Sequence, residues 1–276
     1  MAAEHAPRGP RLVGRYALLC AVAFVTLFPV YTTVVAALKP SDEVLERPLV
    51  PTGFTLEVMV DAWTTGNLGR YLFNSFVVAV IVTLAQVVTS LLSGYAFAVL
   101  DFPGRALLFG AFIATLLVPL EATMVVNRRT VDSLGWLNSY QGLAVPFLAT
   151  AFGTFLVRQA LLDVPRELRD AARIDGAGHL AYLRYVALPV IVPTIGALAL
   201  FSFLSSWNQY LWPNLITTEE DMNTVQSGLT LLRRASLDQP NLVMAGTVIA
   251  AIPIFIGLLI FQKTLVRGLT SGAVKG

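Results

Sequence analysis

The chain has 276 residues, of which 56% are hydrophobic and only 13% charged, against roughly a quarter charged in an ordinary soluble domain. Its apolar residues gather in blocks too long for most soluble cores, which excludes a soluble fold and indicates a polytopic membrane protein. Nineteen Lys and Arg stand against 17 Asp and Glu, a net of +2, so no overall field directs the chain to nucleic acid or an acidic polymer.

The first apolar block, residues 16–38, carries no charge and follows Arg8, Arg11 and Arg15. At ~1.5 Å per residue it can cross a ~30 Å hydrocarbon core. Basic residues before it, with Val35 and Ala37 after its middle, also fit a cleavable signal peptide. The length of the run and the five blocks that follow favour a retained membrane helix. The only cysteine, Cys20, lies inside this block. It excludes an intramolecular disulfide framework, a cysteine zinc cluster and a CxxC pair, and reads as a small packing residue.

Five further blocks span residues 71–100, 106–126, 142–162, 188–210 and 242–261, and only Glu121 and Arg158 put a formal charge inside any of them. Unpaired backbone groups are excluded from lipid, and barrel strands would alternate in polarity over ~10 residues. The expected fold is therefore all-α, with six transmembrane helices. Six spans place both termini on one side with the connections after spans two and four. That side carries Arg8, Arg11, Arg15, Arg105, Arg158, Arg166, Arg169, Arg173, Arg184, Lys263, Arg267 and Lys275, leaving seven basic residues opposite. The positive-inside rule makes it cytoplasmic. The expected organisation is a tail over 1–15, a membrane domain over 16–265 and a second tail over 266–276.

The fourth connection, 163–188, is far longer than the second, 101–105, and longer than a membrane hairpin needs. It reads DVPRELRDAARIDGAGHLAYLRYVAL. Pro165 suits a first helical position, Glu167 the first turn, and Leu168, Ala171 and Ala172 recur at helical spacing. Gly176 can end that helix in the left-handed conformation, and a second short helix can run from Leu180 to Tyr185. Small Ala171 and Ala172 permit close approach of another protein, and Asp170 with the neighbouring arginines offers directed charge pairs. An amphipathic surface hairpin without a partner fits the same residues.

This segment resembles the EAA signature of bacterial ABC importer permeases: Glu-Ala-Ala, three residues, Gly, nine residues, then Ile-x-Leu-Pro. The matching positions are Asp170, Ala171, Ala172, Gly176, Val186, Leu188 and Pro189, with every spacing kept and Asp in place of the usual Glu. The resemblance covers nearly the whole chain and is nearest the carbohydrate-type, maltose-permease-like second subunit, through FPVYTTVVAALKP, SGYAFAVLDFPG and FQKTLVRGLTSGAVKG. Within that group LNSYQGLAVPFLATAFGTFLVRQ and WNQYLWPNLITTEEDM look like the glycerol-3-phosphate permeases.

The resemblance implies a type I importer permease in the bacterial inner membrane, with both termini cytoplasmic. Its implied partners are a second permease subunit, two ATP-binding subunits and an extracytoplasmic solute-binding protein. Asp170, Ala171, Ala172, Asp175, Gly176, Leu188 and Pro189 would meet the ATPase as a coupling helix. Thr270, Ser271 and Gly272 in the tail would lie near the ATPase dimer. The solute class stays open among a sugar, a disaccharide, glycerol 3-phosphate and a glycerophosphodiester.

The chain has no Gly-x-x-x-x-Gly-Lys-[Ser/Thr] phosphate cradle, so ATP and Mg belong on partner subunits and no cofactor is expected here. His5 and His179 lack neighbours at metal-ligand spacing, so no metal and no catalytic residue is expected. Candidates for a solute path are Trp207, Asn208 and Gln209, where an indole adjoins two amides, and Glu121, which either lines a cavity or reaches the interface. Trp207, Tyr210 and Trp212 read equally as an interfacial aromatic belt. Thr150, Thr154 and Gln159 read as helix-packing polar residues. Two other classes compete. An ion-coupled secondary transporter would need an inverted repeat or an embedded acidic relay, and an intramembrane enzyme a catalytic cluster.

Overall fold

The computed structural model describes residues 9–46, 49–50 and 52–270, and no strand forms among them. Four helices are long and apolar enough to cross a membrane: Leu12–Ala37 within α1 (Gly9–Ala37), Leu68–Val99 (α4), His179–Trp207, and Pro240–Ile260 within α14 (Pro240–Thr270). Between them lie short α2 (Ser41–Glu46) and α3 (Glu57–Thr65), then α5 (Arg105–Ala114), α6 (Leu120–Ser133), α7 (Tyr140–Ala144) and α8 (Ala151–Leu162). Next come α9 (Arg166–Ile174), α10 (His179–Tyr182), α11 (Leu188–Trp207), α12 (Leu211–Ile216) and α13 (Val225–Ala235). Two bent pairs bring the spans to six if each counts as one.

Those two pairs are where the straight helices expected over 106–126 and 142–162 differ from the structure. Arg105–Leu117 turns by 97° into α6. Val118 is extended at φ −83° and ψ 116°, as the ring of Pro119 demands of the residue before it. The first arm, at ~1.5 Å per residue, reaches only about 20 Å and does not cross a bilayer alone. The fourth block bends by 46° between Tyr140–Phe147 and Ala151–Leu162, with Thr150 extended at φ −140°. Carbonyls freed there are satisfied from α4: Gln86 donates to the Phe147 carbonyl at 2.8 Å and Thr89 to that of Leu148 at 3.0 Å. A broken helix at membrane depth requires such partners.

The ends of the first and last spans also run beyond the expected membrane domain. α1 begins at Gly9 and α14 continues to Thr270, so residues read as tail extend both helices.

The chain forms two compact units, Met1–Leu68 with Leu229–Ala251, and Gly69–Gly228 with Ile252–Gly276. In the first, Asn241 is buried and ties two strands of sequence together: it donates to the Lys39 carbonyl at 2.9 Å and accepts from Ser41 at 3.1 Å. In the second, one apolar cluster joins Val78 and Val82 of α4 to Met124, Val131, Leu143, Trp212 and Ile216. The other joins Tyr95 and Val99 at the end of α4 to Val157, Leu161, Ala172, Tyr182, Leu183 and Ala187. Small residues let α4 and α8 approach closely: a Cβ on Gly94 would lie 2.8 Å from Cγ1 of Val157, and one on Gly153 would meet Ser90.

Candidate functional site

The segment 163–188 is built by local sequence signals. Pro165 is extended at ψ 135° and delivers the chain into α9, with Glu167 in the first turn and Arg173 in the last, both favourable to the helix dipole. Gly176 ends α9 at φ +75°, in the left-handed region the sequence reading expected. The Ala177 N–H donates to the Ala172 carbonyl at 2.9 Å and the Gly176 N–H to that of Arg173 at 3.1 Å. This is the paired Schellman closure, and it consumes two of the orphan carbonyls of the helix end. A Cβ on Gly176 would meet nothing within 4 Å, so the backbone conformation, rather than crowding within the chain, selects glycine.

The second arm departs from expectation. Instead of a separate short helix joined to the bundle at Leu188 and Pro189, α10 passes through a wide π-turn, Leu183–Ala187, directly into α11. The Leu188 N–H donates to the Leu183 carbonyl across that turn. The turn lies just ahead of Pro189, whose ring removes a donor and crowds the carbonyl one turn back; widening the helix there keeps it continuous. The arm is thus the first part of a 29-residue helix, His179–Trp207.

α9 presents two different faces. Ala172 is buried and Arg169 half-buried, while Asp170, Ala171, Asp175 and Gly176 are exposed and Ile174 is 86% exposed. An isoleucine so placed has little packing among the described residues.

The inward side grips the end of α4. Three arginines from three helices reach its last carbonyls: Arg158 of α8 donates to Phe97 at 3.3 Å, Arg169 of α9 to Val99 at 3.0 Å, and Arg105 of α5 to Leu100 at 2.8 Å. Cations there also meet the negative end of the helix dipole. Arg105 is further held by Asp101 at 2.9 Å, and the Arg158 guanidinium lies 4.2 Å from the centre of the Phe109 ring. The Tyr95 hydroxyl shares a 2.9 Å hydrogen bond with Nδ1 of His179 and donates to the His179 carbonyl at 3.3 Å. Both arms of the segment are therefore fastened to the same turns of α4. The sequence reading missed Tyr95, Arg158, Arg169 and His179 in this role; basic residues placed to meet a helix C-terminus were the available signal.

The expected solute-path residues do not come together as one open site. Trp207 is 1% exposed, stacked on Phe203 with centroids 5.6 Å apart, and its Nε1 finds no acceptor among the described residues. The buried hydroxyls of Ser202 and Ser206, one helical turn apart, are in the same condition. Asn208 is exposed at the end of α11, donating to the Leu204 carbonyl at 2.9 Å and accepting from Gln226 at 3.3 Å, while Gln209 is half-buried. Glu121 is exposed in the first turn of α6, just past the 97° bend. Trp212 is not part of an interfacial belt: it is fully buried, edge-on to Phe147, and donates to the Gly142 carbonyl at 3.0 Å. Thr154 is buried and shares a 2.7 Å hydrogen bond with Ser93, which fits helix packing. Thr270 is the last residue of α14, and Ser271 and Gly272 lie outside the described residues.

Residues 58–271 match the family described as binding-protein-dependent transport system inner membrane component. The chain is similar to the sn-glycerol-3-phosphate transport system permease protein UgpE of Brucella abortus, 35% identical over 269 residues, 94% of this chain and 95% of the relative. It is 37% identical to UgpE of Yersinia enterocolitica, over 88% of this chain and 90% of that one. It is also similar in structure to a chain of a bacterial ABC transporter involved in the import of the acidic polysaccharide alginate. There the TM-score is 0.82 at 21% identity, covering 95% of this chain and all of that one. A second match, to the alginate transporter in complex with an alginate pentasaccharide-bound periplasmic protein, has a TM-score of 0.66 at 15% identity, covering 92% and 96%.

Proposed function

The chain belongs to the family of binding-protein-dependent transport system inner membrane components, a multi-pass permease rather than an enzyme, and from that premise we propose that it moves glycerol 3-phosphate or a closely related glycerophosphate. Identity of 35–37% to UgpE proteins over about nine tenths of the chain supports that solute class. On this reading it pairs with a second permease subunit, receives solute from a binding protein, and is driven by two separate subunits that bind ATP and Mg. On this reading both termini and α9 lie in the cytoplasm, which the excess of Lys and Arg on that side supports.

The single observation that carries the coupling role is the division of α9. Its inward side is fixed to the end of α4, and its outward side offers Asp170, Ala171, Ile174, Asp175 and Gly176 to a partner. The ATPase takes that outward face. When two ATPase subunits close on ATP, the displacement of α9 is delivered to α4 through Arg169 and to α11 through the continuous helix from His179. ATP and loaded binding protein must favour the outward-facing state over the inward-facing one for the cycle to turn. Trp207, closed off here, contacts solute only in a state where α11 has moved. The tail from Thr270 onward reaches the ATPase dimer.

The test is gentle purification of the tagged chain from its native membrane, mass spectrometry of what accompanies it, and ATPase activity of the complex with loaded binding protein. A second permease, an ATPase and activity raised by glycerol 3-phosphate are expected. Stimulation by a sugar alone would refute the solute class, and a lone or homo-oligomeric chain would refute the assembly.

A further inference from the structure

A cationic cleft of about 550 Å³ opens beside α9, lined by Arg105, Arg166, Arg169 and Arg173, with Asp101 and Asp170 as the opposing charges. A smaller cavity of about 140 Å³ shares Arg169, Arg173 and Tyr182 with it and extends to Tyr95 and His179. The lining thus carries four guanidinium groups against two carboxylates, and one of those carboxylates, Asp101, is already paired with Arg105. Arg105 and Arg169 are further engaged at the carbonyls of α4, whereas Arg166 and Arg173 are exposed. The remaining wall is Tyr182 and the apolar last turns of two membrane helices, Ala98 and the buried Val99 of α4, the buried Leu161 and exposed Leu162 of α8, with buried Val164 following. Leu162 is 50% exposed.

We propose that this cleft binds the phosphate of an anionic phospholipid, with Arg166 and Arg173 on the headgroup and the ends of α4 and α8 against the start of its acyl chains. The assignment rests on the cytoplasmic placement of α9 proposed above, which sets the cleft at the inner leaflet. Guanidinium forks match phosphate oxygens. Basic pockets between membrane helices on the cytoplasmic side are suited to anionic headgroups. The apolar wall separates two sources of the same phosphate chemistry: free phosphate has no use for it, and an amphiphile does.

The assembled transporter is reconstituted in equimolar phosphatidylglycerol and phosphatidylcholine, re-extracted in mild detergent, and the ratio of the two retained lipids measured by mass spectrometry. Arg166→Gln with Arg173→Gln is compared with wild type and with Arg233→Gln plus Arg234→Gln, two exposed arginines of α13 that give the same change of charge. At about one factor of five per lost charge, the cleft variant is expected to lose phosphatidylglycerol enrichment about ten- to thirty-fold, and the control to keep it. Equal ratios in the cleft variant and wild type would overturn the proposal. So would saturable binding of radiolabelled inorganic phosphate, lost in the cleft variant, with no lipid preference in wild type; that result gives the site to a soluble anion. Loss of the ATPase from the cleft variant at an unchanged lipid ratio would give the arginines to the subunit interface and also overturn it. The lipid ratio is read without solute, so failure of glycerol 3-phosphate to stimulate ATPase would strike the proposed function and leave this reading standing.

Discussion

Replacing Arg169 by Met tests whether α9 drives the end of α4. The substitution keeps a long apolar stem and removes the guanidinium that donates to the Val99 carbonyl at 3.0 Å. Hydrogen bonds from charged groups contribute ~1.5–3 kcal/mol net, and a cation at a helix C-terminus a further ~0.3–1 kcal/mol. Arg169 is only half-buried, so water compensates in part, and a loss of about 2 kcal/mol is the working figure. At ~1.4 kcal/mol per tenfold, this lowers the ratio of fastened to released α9 about thirty-fold. In proteoliposomes with the complete complex, ATP hydrolysis should persist while solute moved per ATP falls severalfold or more. Arg169→Lys, which restores one charge without the fork, should lie between. An unchanged ratio in a fully assembled Met variant would refute the mechanical role. A fall in assembly instead would make Arg169 a docking or folding residue.

Gly176→Ala forces an L side chain into φ +75° and should cost ~1–2 kcal/mol of thermal stability, with Gly176→Asn costing less; equal melting for all three would remove the conformational argument. Ile174→Asp should abolish copurification of the ATPase while leaving the melting of the isolated chain unchanged, because a side chain 86% exposed contributes little within its own chain. Retention of the ATPase in that variant would remove α9 from the interface. Gly94→Ala should push α4 and α8 apart and cost ~1–3 kcal/mol, since its Cβ would stand 2.8 Å from Val157. Val157→Ala should recover part of that loss in a double-variant thermal comparison.

The membrane blocks were legible because an apolar run of twenty residues has few alternatives in lipid. The two bent pairs were not, although Pro119 announced a break. Length and hydropathy alone read residues 106–126 as continuous, and the partners that make the second break tolerable, Gln86 and Thr89, sit about 60 residues away on α4. Gly176 was readable as a helix stop because left-handed backbone and glycine are locally linked. The π-turn was not readable, since it resolves a conflict between Pro189 and the continuity of one long helix. The neighbours of Trp212 in sequence fit an interfacial belt; its burial comes from packing against Val78, Met124 and Leu143, far away in sequence, with its N–H satisfied by the Gly142 carbonyl at 3.0 Å. The grip on α4 escaped for the same reason: Arg105, Arg158 and Arg169 come from three elements and converge only after folding.

That convergence makes α4 the element best placed to carry motion through the second unit. It has 32 residues and, unlike α1, α11 and α14, no internal proline, so its ladder keeps every backbone donor, and the Ser93-Gly94 pair is the one place in it that invites a bend. Asn74 in its first turns donates to the carbonyls of Asp221 at 2.7 Å and Asn223 at 2.9 Å and accepts from the Tyr140 hydroxyl at 2.7 Å. Ser75 accepts from the Val225 N–H at 2.8 Å. About 20 residues further along, Tyr95 and Val99 are tied to His179 and Arg169, a separation of roughly 30 Å at ~1.5 Å per residue. On the proposed orientation these fastenings lie at opposite faces of the membrane. A helix without proline, fixed at both ends to polar networks, has little means of absorbing displacement of one end except at Ser93-Gly94, within a turn of the Tyr95 fastening. Movement of α9 must then either break the Arg169 and His179 contacts or carry the segment 221–225 with it. In the second case ATPase closure on one side and the loop facing the binding protein on the other become two ends of one rigid body.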